Sequence, residues 1–384
     1  MYMATGAHLK DVDGLRQAGY ARLYAKSGTD WNMIQQINGT QSPGYFGFSL
    51  DLSHDGSLLT VISSGGSVYM YQLSKSSFLY ELLYFTDDIY AGEVCVSGDG
   101  MVVGVTTLQV PSSNNTTGVR IFERVGDVFQ ERNTDILNYG YSSGGIALNY
   151  EGTIAVIGDY AWSTFEGRAA VFQWRDYDGD GSMEWIQMGS NITSNAGINF
   201  YWFGDYGCIS ITYDGLTIAV GMPYYNRDGL SWRGLVRVYN YDSTSDTWKH
   251  GTDLVGDNSF DEFSKTALSA NGTYLAVGAS GGNYGDNHYV KVFAKIGNNY
   301  EPVGDTIIGE AEGDRFGFSV DMSADGSALA ISDVLFDNRG KVYLYDTVLS
   351  SPLTSASSSP PIKYMPYAKS STICLCLLFS CIIW

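Results

Sequence analysis

One phrase recurs six times along the chain: an alternating apolar run, a Ser-x-Asp-Gly-Ser/Thr turn or near variant, and a second apolar run. The copies read SLDLSHDGSLLTV, VCVSGDGMVVGV, IALNYEGTIAVI, ISITYDGLTIAV, TALSANGTYLAV and SVDMSADGSALAI. Their central glycines are Gly56, Gly100, Gly152, Gly215, Gly272 and Gly326, 44 to 63 residues apart. Period-2 alternation marks strands, and x-Asp-Gly-x or x-Asn-Gly-x marks a tight hairpin. A repeat of this length is one supersecondary unit that cannot bury its apolar faces alone, so the units must stack on one another.

Each copy continues with a variable loop and an aromatic strand: SVYMYQ, GVRIFE, AAVFQW, LVRVYN, YVKVFA and KVYLYD. A fourth strand follows in several copies, as in TWKHGTDLV, MEWIQMGSNI and YEPVGDTII. The unit is therefore four strands, a to d. The chain opens in mid-unit: YMATGAH matches strand b, and GYARLYAKSGTDWNMIQQI supplies c and d. The last unit ends after its strand c at Asp346. Two explanations stay open for the start: the ring closes with strands from both termini, or the reading frame lacks its beginning. Composition agrees with an all-β chain, since 46 of 384 residues are Gly, 29 are Tyr and only 16% are charged. That excludes helical bundles and coiled coils. The expected fold is a seven-bladed β-propeller of four-stranded antiparallel blades, with incomplete terminal blades. Tyr2–Ile37 should pack beside Phe316–Asp346, because each supplies strands the other lacks.

GYFGFSLDLSHDGS (Gly44–Ser57) and GDRFGFSVDMSADGS (Gly313–Ser327) resemble FG-GAP repeats, with Phe46-Gly47 and Phe316-Gly317 as the FG. The GAP element stands at Gly278-Ala279-Ser280 and Gly221-Met222-Pro223. The resemblance covers residues 1–346 and implies a seven-bladed propeller of the integrin α-head type, found in many cell-surface proteins. The chain departs from the family in one respect. Calcium-binding members carry DxDxDGxxD between strands a and b, whereas each turn here holds one acidic residue or Asn at that point. Calcium needs six to eight oxygens, so those sites do not carry over. WD-repeat proteins share the strand rhythm, but no unit contains a GH or WD dipeptide.

A calcium-type run does occur elsewhere. Residues 176–184 read DxDxDGxxE, with Asp176, Asp178, Asp180, the Ser182 carbonyl and Glu184 as ligands and Gly181 at the sharp turn. The competing reading is an ordinary Asp/Gly-rich c–d hairpin, like Tyr241–Trp248 in the next unit. The richest loops flank the fourth copy of the phrase: INFYWFGDYG (Ile198–Gly207) and MPYYNRDGLSWRG (Met222–Gly234). Tyr201, Trp202, Tyr224, Tyr225 and Trp232 suggest an aromatic platform, with Asp205, Arg227 and Asp228 as polar contacts. The rival reading packs these rings between blades. No GxSxG elbow, HExxH or phosphate loop is present, and the four His residues are scattered. Cys95 and Cys208 read as small buried residues of strand a.

The net charge is −19 with no Lys/Arg cluster, which argues against a nucleic-acid partner. After residues 1–346, residues 347–372 read as a Ser/Pro-rich linker, and 373–384, ICLCLLFSCIIW, as a short hydrophobic tail. Twelve uncharged residues are too few to span a bilayer. A GPI-attachment signal, part of a membrane segment and a misread exon end all fit the tail. Met1–His8 lacks the charge and apolar run of a signal peptide. Sequons at Asn38, Asn114, Asn115, Asn191 and Asn271 suit a secreted glycoprotein. The leading expectation is a non-enzymatic extracellular or cell-surface propeller that binds a protein or glycan through its loop face, with one calcium ion and a tether through its tail. The alternatives are an intracellular WD-like scaffold and a carbohydrate-active propeller hydrolase or lyase. Acids and Arg gathered around the central channel would favour the last.

Overall fold

The structure is a computed structural model that describes residues 2–27, 30–63, 66–87, 91–107, 118–132, 144–160, 162–193, 202–281, 288–310, 315–334, 340–346 and 373–375. Seven small sheets make up seven blades, numbered here in chain order, and the chain is a seven-bladed β-propeller. Blade 1 holds Tyr2–Gly6, Tyr20–Ser27 and Asp30–Asn38 as strands b, c and d. Blade 2 runs Ser49–Leu52, Leu58–Ile62, Val68–Leu73 and Tyr80–Thr86. Blade 3 runs Ala91–Val96, Val102–Thr107, Gly118–Val125 and Val128–Glu131. Blade 4 runs Ile146–Leu148, Ile154–Asp159, Arg168–Arg175 and Glu184–Gln187, and Ile192–Thr193 also pairs with its strand c.

Blade 5 runs Ile209–Ile211, Thr217–Met222, Leu235–Asp242 and Thr247–Val255. Blade 6 runs Phe263–Leu268, Tyr274–Ala279, Tyr289–Ile296 and Asn299–Pro302, with Ile307–Ile308 again pairing strand c. Blade 7 has three strands, Phe316–Met322, Ala328–Asp333 and Lys341–Asp346. A single helical turn, Trp162–Phe165, interrupts a b–c loop.

The ring is closed. Strands a touch one another from blade 2 round to blade 7, and Ile373–Leu375 touches strand a of both blade 7 and blade 2. That segment occupies the inner position of blade 1, which sequence reading left empty. It pairs in parallel with Tyr2–Gly6, Met3 opposite Ile373, where the other inner pairs are antiparallel. The two ends of the ring also meet through side chains, as expected: Met3, Tyr24 and Trp31 pack on Ala328, Ala330, Val342 and Leu344.

The recurrent phrase is a self-capped hairpin. Its first polar residue is Ser53, Ser97, Asn149, Thr212, Ser269 or Ser323, and all six are buried. In each copy that side-chain oxygen accepts the backbone N–H five residues on, at 2.8–3.1 Å. The acidic member turns inward to the same turn; Asp55 accepts from the Ser53 hydroxyl and the Ser57 N–H. Asp55, Asp99, Asp214 and Asp325 are each used in this local way. The turn glycines all have φ between +62° and +74°, a region costly for side chains with a Cβ. Backbone hydrogen bonds link turn to turn: Tyr150 N–H to Tyr213 O, Tyr213 N–H to Ala270 O, and Ala270 N–H to Ala324 O.

The FG and GAP elements meet between blades. Phe46, Phe203, Phe263 and Phe316 are buried wedges at equivalent points. The residue after each presses its backbone carbonyl on a glycine of the preceding blade. A Cβ on Gly6, Gly158, Gly221 or Gly278 would lie about 2 Å from the carbonyl oxygen of Gly47, Gly204, Ser264 or Gly317, respectively. Glycine is required there by backbone-on-backbone contact, which explains why both elements recur together.

Candidate functional site

The aromatic residues of the blade 5 loops form a continuous row. Tyr160 meets Trp202 at 5.0 Å between ring centroids, Trp202 meets Tyr224 at 4.9 Å, Tyr224 meets Trp232 at 5.1 Å, and Trp232 meets Phe260 at 5.7 Å. The order carries the row from blade 4 across blade 5 to the loop before blade 6. Edge and tilted contacts of this length are favourable aromatic pairings. Trp202, Tyr224 and Trp232 are each half-buried, so the row is packed yet keeps open faces. Trp202 and Trp232 both have positive φ, 53° and 50°. The Asn226 side chain accepts the Trp232 N–H at 2.7 Å, which fixes the loop. Beside the row, the exposed Asp228 pairs with the largely buried Arg233 at 3.0 Å and lies 3.8 Å from the exposed Arg227.

Two residues grouped with this platform by sequence stand elsewhere, Tyr225 and Asp205. Tyr225 packs on the core between blades 4 and 5. Asp205 is buried, because the tight turn after Phe203-Gly204 directs it inward; its N–H donates to Trp202 O and its carbonyl accepts from Cys208 N–H. It is therefore not a surface contact. Tyr201 lies outside the described residues.

Asp205 belongs instead to a charged cluster on the inner strands. Glu93, in strand a of blade 3, accepts the Ile146 N–H of blade 4 at 3.2 Å and the Gly207 N–H before blade 5 at 3.1 Å. One carboxylate thus ties three successive blades. Lys265, in strand a of blade 6, donates to the Tyr206 carbonyl at 2.6 Å and lies 3.6 Å from Cys208 Sγ. Its ammonium also sits over the Phe318 ring of blade 7 at 5.8 Å. Burial pushes the Glu93 carboxyl up to about 8, against the pull of the Gly207 N–H and Lys265. Burial likewise raises Asp205, lifts the Cys208 thiol to about 11, and lifts Glu262 to about 7. Lys265 is raised as well, for a different reason: burial pulls it down, but Cys208, Asp205 and Glu93 together hold its proton more firmly. Cys208 is thus a thiol, not a nucleophilic thiolate. Burial first, then Glu262 and Asp205, raise the Tyr224 phenol, so the platform and the charged cluster are electrostatic neighbours.

Sequence reasoning missed Glu93, Lys265, Glu262 and Arg315. For Glu93 and Lys265 the signal was a charged residue inside an otherwise small or apolar inner strand, in GEVCVS and FSKTALS; Glu262 and Arg315, each directly before a buried Phe (Phe263, Phe316), carry no such mark.

At the c–d hairpin of blade 4, Asp176, Asp178 and Asp180 each bring a carboxylate oxygen within 4.8 Å of the others. All three are exposed. Asp176 accepts the N–H groups of Gly179 and Gly181, and Asp180 accepts that of Ser182 at 2.7 Å. Hydrogen bonds from Ser182 lower the Asp180 carboxyl. Glu184 stands apart from this group, in strand d opposite Arg175. The three aspartates suit a hard cation, but a fourth carboxylate does not converge.

No family model matches the chain, and no curated protein matches it in sequence. Solved structures do match in shape. A protein from Bacteroides uniformis proposed to be a 6-phosphogluconolactonase has a TM-score of 0.61 at 13% identity, covering 91% of this chain and 92% of that one. Hydrazine synthase from Kuenenia stuttgartiensis gives 0.57 at 14%, with coverage of 86% and 93%. The propeller domain of Cps50 (Swd1) from Myceliophteria thermophila gives 0.54 at 12%, with coverage of 85% and 90%. These similarities establish the fold alone.

Proposed function

We propose that this chain is a non-enzymatic propeller of the FG-GAP type that acts outside the cell and recognises a protein or glycan through the blade 5 loops. The observation that carries this reading is the half-exposed row Trp202–Tyr224–Trp232 beside the charged residues Arg227, Asp228 and Arg233. Flat rings with adjacent charges suit sugar faces or a protein loop. Glycan and peptide arrays probed with the full chain, Trp202→Ala and Trp232→Ala test it. Each variant should lose about 2 kcal/mol, roughly thirtyfold, on any ligand found. Ligands held equally by all three proteins would remove recognition from this face. Glycosylation at the exposed Asn191 on secretion would support the compartment. A membrane tether through the tail requires Ile373–Leu375 to leave blade 1, since the same residues cannot pair with Tyr2–Gly6 and sit in a bilayer.

Calcium belongs to the same reading. Asp176, Asp178 and Asp180 should bind one ion weakly, with Kd on the order of 10⁻⁴–10⁻³ M, because an exposed hairpin is little preorganised. Titration calorimetry on the protein and on Asp178→Ala checks this; equal heats from both would end it.

A second reading has its own observation. Three carboxylates and two cations, Glu93, Asp205, Glu262, Lys265 and Arg315, interact on the inner strands and the loops leading into them. Raised carboxyl groups can serve as general acids in carbohydrate cleavage. Hydrolysis or elimination of polysaccharides that disappears in Glu262→Gln with the fold intact would favour the enzyme over the binder.

A further inference from the structure

We propose that Asn271, in the a–b turn of blade 6, carries an N-linked oligosaccharide. The proposal rests on the reading that the chain acts outside the cell; the geometry of the turn says where a glycan fits the fold. Asn271-Gly272-Thr273 has the Asn-x-Ser/Thr form of an acceptor. The step joins Asn271 Nδ2 to C1 of an oligosaccharide carried on a lipid diphosphate. The C1–O bond to the diphosphate breaks, the diphosphate leaves with the bonding pair, and Nδ2 gives up one of its two protons.

The sister turns show which atom can be spared. Asp55, Asp99, Asp214 and Asp325 stand at the position of Asn271 in four other copies of the phrase. In each, a single carboxylate oxygen makes both turn bonds. It accepts the N–H two residues on at 2.8–3.0 Å and the hydroxyl two residues back at 2.6–2.8 Å. Asn271 Oδ1 does the same, 2.9 Å from the Thr273 N–H donor and 3.3 Å from the Ser269 hydroxyl. Nδ2 takes the place of the second carboxylate oxygen and makes no hydrogen bond among the described residues. The side chain is exposed. A sugar on Nδ2 leaves Oδ1 an amide oxygen, so the turn keeps both of its bonds.

Asn38 differs. Its Nδ2 donates to Asp13 at 3.0 Å, its Oδ1 accepts from Gln36 at 2.8 Å, and it is half-buried. A sugar there would load a nitrogen that the fold uses. Asn191 is exposed and engages only its Oδ1, with Gln187 at 2.9 Å, so it also has a nitrogen to spare. Asn114 and Asn115 lie outside the described residues. The place of Asn271 matters as well. Its neighbour Ala270 accepts the Tyr213 N–H and donates to Ala324 O, within the chain of bonds that links the a–b turns. The strands are antiparallel, so these turns lie at the opposite end of the blades from the b–c and d–a loops. A glycan on Asn271 therefore leaves the Trp202–Tyr224–Trp232 row clear and keeps protein partners off the opposite face.

The test uses the full chain fused to a cleavable secretion leader, so that entry into the secretory lumen does not depend on the natural route. The secreted protein is treated with the amidase that removes N-glycans, in heavy-oxygen water, and each acceptor is read by peptide mass. Asn271 should carry the heavy label in most chains, and Asn271→Asp should lose one glycan per chain. In unglycosylated protein made in bacteria, Asn271→Asp should melt with the wild type, because Asp makes the same turn. An unlabelled Asn271 beside a labelled Asn191, no label at any acceptor, or spontaneous deamidation alone at Asn271-Gly272 would overturn the proposal. A clear drop in the melting temperature of the bacterial Asn271→Asp protein would overturn it too, since the turn would then need the amide nitrogen. Retention of the leaderless chain inside cells, with Asn271 labelled in the fused one, would count against secretion and not against the site.

Discussion

Phe316→Ala is expected to destabilise the protein by about 3–5 kcal/mol, the range for emptying a buried aromatic site. Phe316 is fully buried between blades 6 and 7, where it joins Val290, Val292, Ile307, Leu329 and Ile331. Its ring meets Tyr343 edge-on at 5.3 Å. The site cannot collapse, because Gly317 behind it already presses its carbonyl on Gly278. The cavity term therefore adds to the lost transfer energy. Urea unfolding of Phe316→Ala beside Phe78→Ala measures it; Phe78 is 68% exposed and should change little. Similar small shifts in both would mean the FG wedge does not hold the blades together.

Glu93 should make stability fall as pH rises. Its carboxyl is ordinary in the unfolded chain, near 4.5, and raised to about 8 by burial in the fold. The folded state therefore holds the proton more tightly. Its stabilising contribution is complete below about pH 4.5, declines as pH rises between the two values, and is gone above about pH 8. At 1.36 kcal/mol per unit the full span is about 5 kcal/mol as an upper limit, reduced by the Lys265 charge. Glu93→Gln removes the ionisation. It also leaves one of the two N–H donors, Ile146 or Gly207, poorly matched, which lowers stability by an amount that does not vary with pH. The difference between the wild-type and Glu93→Gln melting temperatures, scanned from pH 5 to 8, should shrink steadily as pH rises. Parallel profiles would show that Glu93 does not change its proton in this window.

The candidate site was legible only where function and local sequence coincide. Trp202, Tyr224 and Trp232 are dense aromatics in two loops of one unit, so a linear reading finds them, and packing brings them into one row. The same reading took Asp205 as a surface contact because it sits beside Trp202 in sequence. A tight turn decides its direction, and that direction is inward. Glu93 and Lys265 are more than 170 residues apart by number, and nothing in either strand names the other. Their shared neighbours at residues 205–208 exist only because the inner strands converge on one axis.

The sequence by itself determined the blade. Alternation, the polar residue that caps each hairpin and the left-handed glycine act within about a dozen residues, so six copies of a local pattern suffice to announce six units. It also determined where the blades must touch, since glycine is the residue that admits a backbone carbonyl at Gly221 or Gly278. Only the tertiary structure decided how the ring closes, with Ile373–Leu375 laid in parallel beside Tyr2–Gly6, and that Glu93 and Lys265 share neighbours on the inner strands. Closure and charge clustering depend on contacts between residues hundreds of positions apart, whose energies are set by burial and distance. Local sequence carries the propensity of each strand, and it holds no record of which distant strand arrives next to it.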